Sequence, residues 1–331
     1  MTAFLPRIAL LTTGGTIAGA GPSATGAAYT AAALDARALL AALPPLHGLA
    51  RVQAEALFAI DSADLTDALL LQLARRVREL AARSDVDAIV ITHGTDTLEE
   101  SAHFLHLTVP TDKPLVLTGA MRAATALGAD GPLNLYQALQ VAASPRAAGL
   151  GALVVMNGAI WSGRDTIKRH SSQVQALRSP YGPLGLVADE GPRFYRAPAR
   201  VHTLRSEFAQ AALPAALPAV AISASHAGMA EATARHWQAL AELPVRGIVH
   251  AAFGAGTLPA ALHAAAQRLH EAGIALLLAS ATQQGPLPAA CRQGPWLCAD
   301  DQPPRQARLL LALALARGIG PQGLQGLFDR Y

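Results

Sequence analysis

Along residues 7–156, short runs of apolar residues alternate with longer segments whose apolar positions recur every three to four residues. Short apolar runs are typical of buried strands, and the three-to-four spacing is typical of helices that bury one face. The alternation predicts β-α-β units that build a mostly parallel sheet covered by helices. The expected strands are 8–11, 52–60, 86–92, 114–118 and 151–156, and the expected helices are 34–43, 64–82, 97–107 and 132–143.

The periodicity lapses between about residues 191 and 218, where Pro, Arg and Ala recur. We interpret residues 192–218 as a linker between an N-terminal domain, 1–191, and a C-terminal domain, 219–331. The second domain repeats the alternation on a smaller scale. The predicted fold class is therefore α/β, with a larger, mostly parallel N-terminal sheet flanked by helices and a smaller parallel C-terminal sheet. Further expected strands are 220–223, 247–251 and 274–279, with terminal helices at 305–316 and 321–328.

The composition narrows the class of protein. Of the 331 residues, 52% are hydrophobic and 15% are charged, which is too apolar for a disordered chain. The formal charge is only +3 and no run of Lys and Arg is interleaved with aromatics, which argues against nucleic-acid binding. The apolar run at 8–11 is too short for a signal peptide, and the one at 309–316 is shorter than the about 20 residues that cross a bilayer. We expect a cytoplasmic protein with no nucleic-acid or membrane partner.

The two cysteines, Cys291 and Cys298, lack the spacing of a metal site and have no pair of histidines beside them. In a cytoplasmic protein such residues are typically reduced thiols, so we expect both to be free in a loop. Three histidines, His93, His103 and His106, have a spacing that matches no standard metal site. We therefore expect no metal and no other cofactor.

Residues 12–19, TTGGTIAG, lie where the first predicted strand ends and the chain turns. Two adjacent glycines permit a tight turn with converging backbone N–H groups, and such a turn would hold Thr16 at the carboxyl edge of the sheet. Ligands bind at that edge in open α/β sheets. A Gly-rich turn with a capping threonine is the structural alternative. This segment is not a dinucleotide-binding loop, because its glycines at 14, 15 and 19 do not have the Gly-x-Gly-x-x-Gly spacing.

Residues 91–101, ITHGTDTLEES, follow another apolar strand. Thr97 with Glu100 fits a capping box at a helix start, which is a purely structural interpretation. A cap does not require the preceding HGTD segment, however, and Thr95 can lie opposite the first threonine across a shared crevice. Asp96 beside it is a candidate for binding a substrate ammonium group.

The chain contains only two lysines, Lys113 and Lys168, and otherwise uses arginine for positive charge. Arginine cannot lose its proton in a protein, whereas a buried lysine can be shifted toward neutrality and act as a general base. Lys168 therefore indicates a position at which titration matters, with a structural ion pair as the alternative. Lys113 lies in a turn at residues 111–114, where the ion pair is the favoured interpretation.

Two segments, TGGTIAG at 13–19 and HGTDT at 93–97, are similar to the signature segments of the bacterial L-asparaginase family. The likeness covers the first domain and the linker and continues more faintly to Tyr331. It implies a two-domain α/β amidohydrolase without a cofactor that acts on a small amino-acid amide, with L-asparagine as the leading substrate. Further matching positions are Tyr29, Ser62, 119–122, 129–132 and 181–185.

The resemblance also implies roles in catalysis, since acyl transfer needs an activated hydroxyl and fixed donors for the developing oxyanion. It makes Thr16 the nucleophile and gives Tyr29 the role of helping to deprotonate it. Thr95 and Lys168 match the pair that activates water. Asp96 would orient both of them and also bind the substrate amino group.

The resemblance extends to substrate binding and assembly. Ser62 would hold the α-carboxylate, the carbonyl of Ala120 would accept from the scissile amide nitrogen, and a homotetramer built from dimers would complete each active site with a neighbour's second domain. The chain departs from the family at Ala63, where Gln or Glu is usual, and at Ala255, where Asn usually stands between two glycines. Residues 283–294 lack the acidic residue that the family's second domain supplies.

These departures concern substrate recognition, so the main alternatives concern the substrate. The runner-up is the same chemistry on glutamine or on an amide whose amino group is blocked, because Ala63 and Ala255 widen the pocket. A non-catalytic amino-acid-binding protein is the alternative from another class. Retention of both threonines with Tyr29 and Lys168 argues against it, since binding alone does not need two hydroxyls and a neutral lysine.

Overall fold

The computed structural model of the protein describes residues 5–25 and 28–331. The chain falls into two compact units, Met1–Leu213 and Pro214–Tyr331. Each unit has its own sheet and its own buried apolar core, and the predicted α/β class is confirmed for both.

The first unit contains an eight-stranded sheet that is parallel in its middle and antiparallel at one edge. Every residue of its central strands is buried, because a parallel sheet covered on both faces leaves no side exposed to water. The strands are β1 (Arg7–Gly14), β2 (Arg51–Ile60), β3 (Ala88–Thr92), β4 (Leu115–Thr118), β5 (Ala152–Met156), β6 (Ala159–Ser162), β7 (Ile167–Lys168), β8 (Leu177–Arg178), β9 (Gly185–Ala188) and β10 (Gly191–Phe194). The sheet order is β10-β9-β6-β5-β4-β3-β1-β2, and β7 pairs with β8 outside this sheet.

Helices that bury one apolar face pack on this sheet, and several begin at a polar cap. Asp35 accepts from the Ala38 amide at 2.8 Å, and Thr66 accepts from the Leu69 amide at 3.2 Å. These bonds satisfy amides that have no partner within the helix. The helices of the first unit are α1 (Ala36–Ala41), α2 (Asp67–Ala82), α3 (Leu98–Thr108), α4 (Gly131–Ala143) and α5 (Glu207–Gln210).

Helix α5 lies within the segment expected to be a linker and packs against α3 of the first unit. It buries Phe208, and Arg78 of α2 donates to the carbonyl oxygen of Ala209 at 2.7 Å. The boundary between the compact units consequently falls at Leu213, near the C-terminal end of the predicted linker.

The second unit holds a four-stranded parallel sheet in the order β11-β12-β13-β14. Its helices pack around a core that includes Trp237, which is fully buried. Among the residues that the structure describes, no helix is long and apolar enough to cross a membrane. The elements are β11 (Ala219–Ala224), β12 (Val245–Ala252), β13 (Ala275–Ser280) and β14 (Leu297–Cys298), with α6 (Ala230–Ala241), α7 (His263–Glu271), α8 (Pro304–Ala316) and α9 (Pro321–Arg330).

The antiparallel edge of the large sheet is the main feature that the sequence pattern does not predict. Strands β6, β9 and β10 extend the sheet beyond β5. Each is four residues long and only partly buried, so the alternation of apolar and polar positions is too short to stand out.

Cys291 and Cys298 are joined by a disulfide, which corrects the expectation of two reduced thiols. The chain between them folds back on itself, because Trp296 donates from its indole nitrogen to the Cys291 carbonyl at 2.6 Å. Cys298 in turn is fixed by the pairing of β14 with β13. Their Cα atoms are 6.8 Å apart, a proximity that the seven-residue separation alone does not reveal.

Among the buried histidines, His202 and His250 have pKa values lowered to about 4. His202 in the first unit packs against His106, with ring centroids 4.7 Å apart, and burial lowers the pKa of His202 to about 4. His250 in the second unit lies between Ser223 and Ser225, with its ring nitrogens 2.9 and 2.8 Å from their hydroxyl oxygens. Burial lowers the pKa of His250 to about 4 as well.

We expect the free energy of unfolding to fall as the pH is lowered from about 6.5 to about 4. The upper limit is the pKa of a histidine in the unfolded chain, and the lower limit is the pKa of these two histidines in the folded protein. The unfolded chain takes up these protons below a pH of about 6.5. The folded protein keeps His202 and His250 neutral until a pH of about 4. Proton binding between these limits therefore favours the unfolded chain, by on the order of 1 to 3 kcal/mol for each histidine. Above a pH of about 6.5 the free energy of unfolding should no longer depend on these two histidines.

Urea unfolding at several pH values across this window measures how steeply the free energy of unfolding depends on pH. His202→Gln and His250→Gln should each make this dependence less steep. His236→Gln is the control, because it removes a histidine that is exposed in the folded protein. A wild-type free energy of unfolding that stays constant from neutral pH to the lower limit would contradict the expectation.

Candidate active site

Thr16 follows the first strand at a turn that requires glycine. Gly14 and Gly15 have φ angles of +98° and +78°, in the left-handed region that side chains disfavour. The turn leads into a 3₁₀ helix that buries the Thr16 side chain. The hydroxyl oxygens of Thr16 and Tyr29 lie 2.7 Å apart, so the two groups share a hydrogen bond.

Thr95 lies in the turn between β3 and α3, and its side chain is also buried. Its hydroxyl oxygen accepts a hydrogen bond from Nζ of Lys168 at 2.9 Å. The same ammonium nitrogen is 2.5 Å from Oδ1 of Asp96, whose side chain is 58% exposed. Lys168 thus bridges a buried hydroxyl and an accessible carboxylate.

The turns that carry these two groups pack directly against each other. Strands β1 and β3 are parallel neighbours, with Thr12 opposite Thr92, so their carboxyl ends reach the same edge of the sheet. A Cβ atom on Gly15 would lie only 2.3 Å from the Cα atom of Gly94, which shows that the two backbones touch where no side chain fits. The sequence expectation that both threonine turns share one edge is therefore met in the fold.

The capping-box interpretation of the second segment is wrong. Thr97 is the residue that caps α3, but its side chain accepts no hydrogen bond from the helix. Its hydroxyl instead donates to the carbonyl oxygen of Ser62 at 2.9 Å. The bond ties the start of α3 to the segment after β2, because that segment lies beside it at the same sheet edge.

Ser62 is buried next to the Thr95 turn. Its hydroxyl oxygen accepts from the amide of Asp96 at 3.3 Å, which leaves the hydroxyl proton for another acceptor. A Cβ atom on Gly94 would come within 2.5 Å of this oxygen, so the glycine permits the close approach. Ala63 follows with an exposed side chain.

Ala120 lies in the loop after β4, which two polar side chains hold in place. Asp130 accepts from the amides of Met121 and Arg122 at distances of 3.0 and 2.9 Å. Asn134 donates to the carbonyl oxygen of Gly119 at 2.9 Å. Backbone groups on both sides of Ala120 are thereby fixed, and Ala120 itself is fully buried.

Comparison with known proteins decides the family. The family model described as "Asparaginase, N-terminal" matches residues 7–200, and the one described as "Glutaminase/Asparaginase C-terminal domain" matches residues 219–328. The chain belongs to the asparaginase family. It is an amidohydrolase of the group that contains L-asparaginases and glutaminase-asparaginases.

Relatives in this family match the chain over nearly its whole length. A glutaminase-asparaginase of Pseudomonas aeruginosa is 41% identical, over 99% of this chain and 91% of its own. L-asparaginase 2 of Escherichia coli is 38% identical, over 99% of this chain and 94% of its own. A crystal structure described as a probable cytoplasmic L-asparaginase from Campylobacter jejuni superposes with a TM-score of 0.91 at 37% identity, covering 98% of this chain and all of that one.

In this asparaginase-family chain, His93 stabilises the Thr95 turn by linking Gly94 to helix α3. Its Nδ1 lies 2.8 Å from the carbonyl oxygen of Gly94 and its Nε2 lies 2.9 Å from the hydroxyl of Ser101. A carbonyl can only accept, so Nδ1 carries the proton and Nε2 accepts from Ser101. Burial lowers the pKa of His93, which keeps the ring neutral in this arrangement.

The three histidines considered for a metal site are buried in the first unit. Within residues 5–25 and 28–331, no group of three or more His, Cys, Asp or Glu side chains is placed to hold a metal ion. Lys113, the second lysine, donates to the carbonyl oxygen of Arg83 at 2.6 Å and so has a structural contact rather than the ion pair expected from sequence.

Four residues that shape this site were not identified from the sequence as site residues. Ser101 and Asn134 orient neighbouring groups, and Asp130 holds the Ala120 loop. Glu99 accepts from the backbone amide of Lys168 at 2.5 Å. Asp130 lies in the resembling segment 129–132, and Glu99 and Ser101 follow the HGTDT segment. Their contacts are made by the folded chain, so only the fold reveals them.

Proposed function

We propose that the protein hydrolyses L-asparagine to L-aspartate and ammonia through an acyl-enzyme on a threonine. The observation that carries the proposal is the pair of hydroxyl contacts at one sheet edge: Thr16 with Tyr29, and Thr95 with Lys168. Each weakly acidic hydroxyl lies within hydrogen-bond reach of a group that can exchange protons, which is the arrangement that nucleophilic catalysis needs.

In the first step the Thr16 oxygen attacks the side-chain amide carbon, a C–O bond forms, and the C–N bond breaks to release ammonia. Tyr29 takes part in moving the threonine proton toward the leaving nitrogen, across the 2.7 Å contact between the two hydroxyls. The negative charge on the carbonyl oxygen is stabilised by backbone N–H groups at the glycine turns, whose positions are fixed before substrate binds.

In the second step water attacks the acyl ester and regenerates the Thr16 hydroxyl. Thr95 and Lys168 activate this water, and Asp96 orients Lys168 through the 2.5 Å ion pair. The three groups form one chain from a buried hydroxyl to an exposed carboxylate. Loss of any member therefore interrupts the others, as is usual for catalytic groups that act as a unit.

Substrate recognition uses the groups that border this chain. The exposed carboxylate of Asp96 binds the α-ammonium group, and the hydroxyl proton of Ser62 is available to the α-carboxylate because its oxygen already accepts from the Asp96 amide. The Ala120 carbonyl accepts from the scissile amide nitrogen. These three contacts fix the substrate by both ends.

A second candidate substrate is L-glutamine, or an amide with a blocked amino group. Ala63 is exposed beside Ser62 and offers no hydrogen bond from its side chain, so the ammonium end of the pocket is less restrictive. The relative from Pseudomonas aeruginosa is named for both activities.

Ammonia release from L-asparagine, D-asparagine, L-glutamine and Nα-acetyl-L-asparagine tests the function. We expect L-asparagine to have the highest kcat/KM among them. Absence of ammonia from every amide, in a folded preparation, would contradict the proposed activity. A clear preference for glutamine or for the acetylated amide would keep the chemistry and replace the substrate.

We further propose a homotetramer built from dimers and a cytoplasmic location. The Campylobacter jejuni relative is described as a probable cytoplasmic L-asparaginase, which supports the location. The paired Cys291 and Cys298 support an oxidising compartment instead, since disulfides persist there. Alkylation of free thiols at cell lysis shows whether the two cysteines are paired in the cell, and fractionation shows which compartment holds the protein.

Sedimentation velocity tests the tetramer, because it measures whether the particle has four times the mass of the 34.2 kDa chain.

Ala63→Gln is expected to lower KM for L-asparagine. A glutamine side chain at this exposed position beside Ser62 can accept a hydrogen bond from the substrate ammonium, which Ala63 cannot. A hydrogen bond to a charged group contributes about 1.5 to 3 kcal/mol, and this corresponds to a decrease of about ten- to a hundredfold. Steady-state kinetics on L-asparagine and on Nα-acetyl-L-asparagine measure the change for both proteins.

The acetylated amide is the internal control, because it has no ammonium group and its KM should not improve in the variant. Micromolar KM for L-asparagine in the wild type, together with rejection of the acetylated amide, would contradict the idea that Ala63 weakens recognition.

A further inference from the structure

We propose that Glu99 is a positioning residue that holds Lys168 at the catalytic distance from Thr95. This inference rests on the proposed function of the site. Glu99 is 3% exposed, and its Oε2 accepts a hydrogen bond from the backbone amide of Lys168 at 2.5 Å. The two residues are 69 positions apart in the chain, so the contact is made by the tertiary fold.

The backbone at Lys168 belongs to a very short element. This element is β7, a strand of two residues that pairs with the two-residue strand β8 outside the eight-stranded sheet. A two-residue pairing is weak by itself, since isolated short strands are marginally stable in water. The Glu99 carboxylate supplies an anchor that ties this short strand to helix α3.

The same helix carries the partners of the lysine side chain. Glu99 lies in the first turn of α3, and Thr95 and Asp96 lie in the turn that leads into it. The hydrogen bond that Glu99 accepts from the Lys168 amide therefore ties the Lys168 backbone to the same helix that follows Thr95 and Asp96. The position from which the Lys168 side chain starts is thereby set, and from it Nζ reaches Oγ1 of Thr95 at 2.9 Å.

The location of Glu99 in the first turn of α3 favours a carboxylate at this position. A negative charge in the first turn of a helix is stabilised by the unpaired amides and the dipole of that helix. The accepting oxygen, rather than the charge, is what contacts the Lys168 amide. A glutamine, which has an oxygen in the same position, should therefore replace Glu99 better than any residue that lacks one.

Kinetics of Glu99→Ala and Glu99→Gln on L-asparagine test the proposal. We expect Glu99→Ala to lower kcat by about ten- to a hundredfold with little change in KM, since a misplacement of about 1 Å in a catalytic group costs on that scale. Glu99→Gln should retain most of kcat. Glu100→Ala is the matched control, because it removes a carboxylate from the same helical turn but not the acceptor of the Lys168 amide.

A double variant separates action through Lys168 from general damage. If Glu99 acts through Lys168, adding Glu99→Ala to Lys168→Met should cause no further loss of kcat, whereas a structural role predicts that the two losses multiply. A kcat for Glu99→Ala close to that of the wild type, a Glu99→Gln as slow as Glu99→Ala, or multiplying losses would each overturn the proposal.

Hydrogen exchange gives a readout that does not depend on activity. The amide of Lys168 should exchange faster in Glu99→Ala than in the wild type, Glu99→Gln or Glu100→Ala. Unchanged exchange in Glu99→Ala would overturn the anchoring role. If the wild type releases no ammonia from any amide, the proposed function fails, and the exchange experiment still decides whether Glu99 anchors the Lys168 backbone.

Discussion

Thr16→Ala is expected to lower kcat for ammonia release from L-asparagine by about a thousandfold or more, because removal of a nucleophile stops a catalytic unit almost completely. Thr95→Val should cause a loss of similar size while leaving the nucleophile in place. Both substitutions remove a hydroxyl at a turn whose backbone is fixed by glycine contacts, so the fold should be preserved. Coupled ammonia assays measure kcat, and circular dichroism checks folding.

The two variants should differ in what they accumulate. Thr95→Val impairs the activation of water, so L-asparagine should leave an aspartyl ester on Thr16 that intact-protein mass spectrometry detects. Thr16→Ala has no oxygen on which to form it. Thr16→Ser and Thr95→Ser keep the hydroxyls and serve as controls with measurable turnover. Near-wild-type turnover in either Thr16→Ala or Thr95→Val would show that the two-threonine mechanism is wrong.

The part of the site that sequence predicts is the part that depends on local pattern. The apolar runs ending near residues 11 and 92 predict two strands, and parallel strands bring their carboxyl ends to one edge. Glycines at 14, 15 and 94 mark the turns. Together these features are enough to place Thr16 and Thr95 at turns on the same edge of the sheet.

Contacts between distant segments cannot be predicted in this way. The hydroxyl of Thr97 fits a capping box in the sequence, but the backbone of Ser62 lies within its reach in the folded protein and becomes its partner. The anchoring of Lys168 by Glu99 and the pairing of the two cysteines have the same character. Each of these contacts depends on which segments the tertiary fold brings together, and the periodicity of apolar residues does not predict this.

The antiparallel strands of the first unit show a second limit. Hydrophobic periodicity identifies a strand only when several alternations occur, and β7 and β8 have two residues each. Lys168 lies in one of these strands. Its importance is indicated by the rarity of lysine in this chain and by the family resemblance rather than by any secondary-structure pattern.

Lys168→Arg is expected to be as damaging as Lys168→Met, with kcat for L-asparagine reduced by about a hundredfold or more in each, the usual loss when a general base is removed. Nζ of Lys168 contacts both the Thr95 hydroxyl and the Asp96 carboxylate, so it can relay a proton between them. Arginine would keep the positive charge and the hydrogen-bond donors, but a guanidinium has no acceptor and does not lose its proton in a protein.

Equal losses of kcat in Lys168→Arg and Lys168→Met would indicate that Lys168 transfers a proton rather than only supplying a positive charge. If Lys168 serves only to hold Asp96 by its charge, arginine can replace it, since it forms strong pairs with carboxylates. Steady-state kinetics of both variants against L-asparagine measure the difference. Lys113→Arg is the control, because Lys113 donates to a backbone carbonyl and a guanidinium can do the same. Substantial turnover in Lys168→Arg, with Lys168→Met inactive, would assign Lys168 an electrostatic role and leave the activation of water to Thr95 and Asp96.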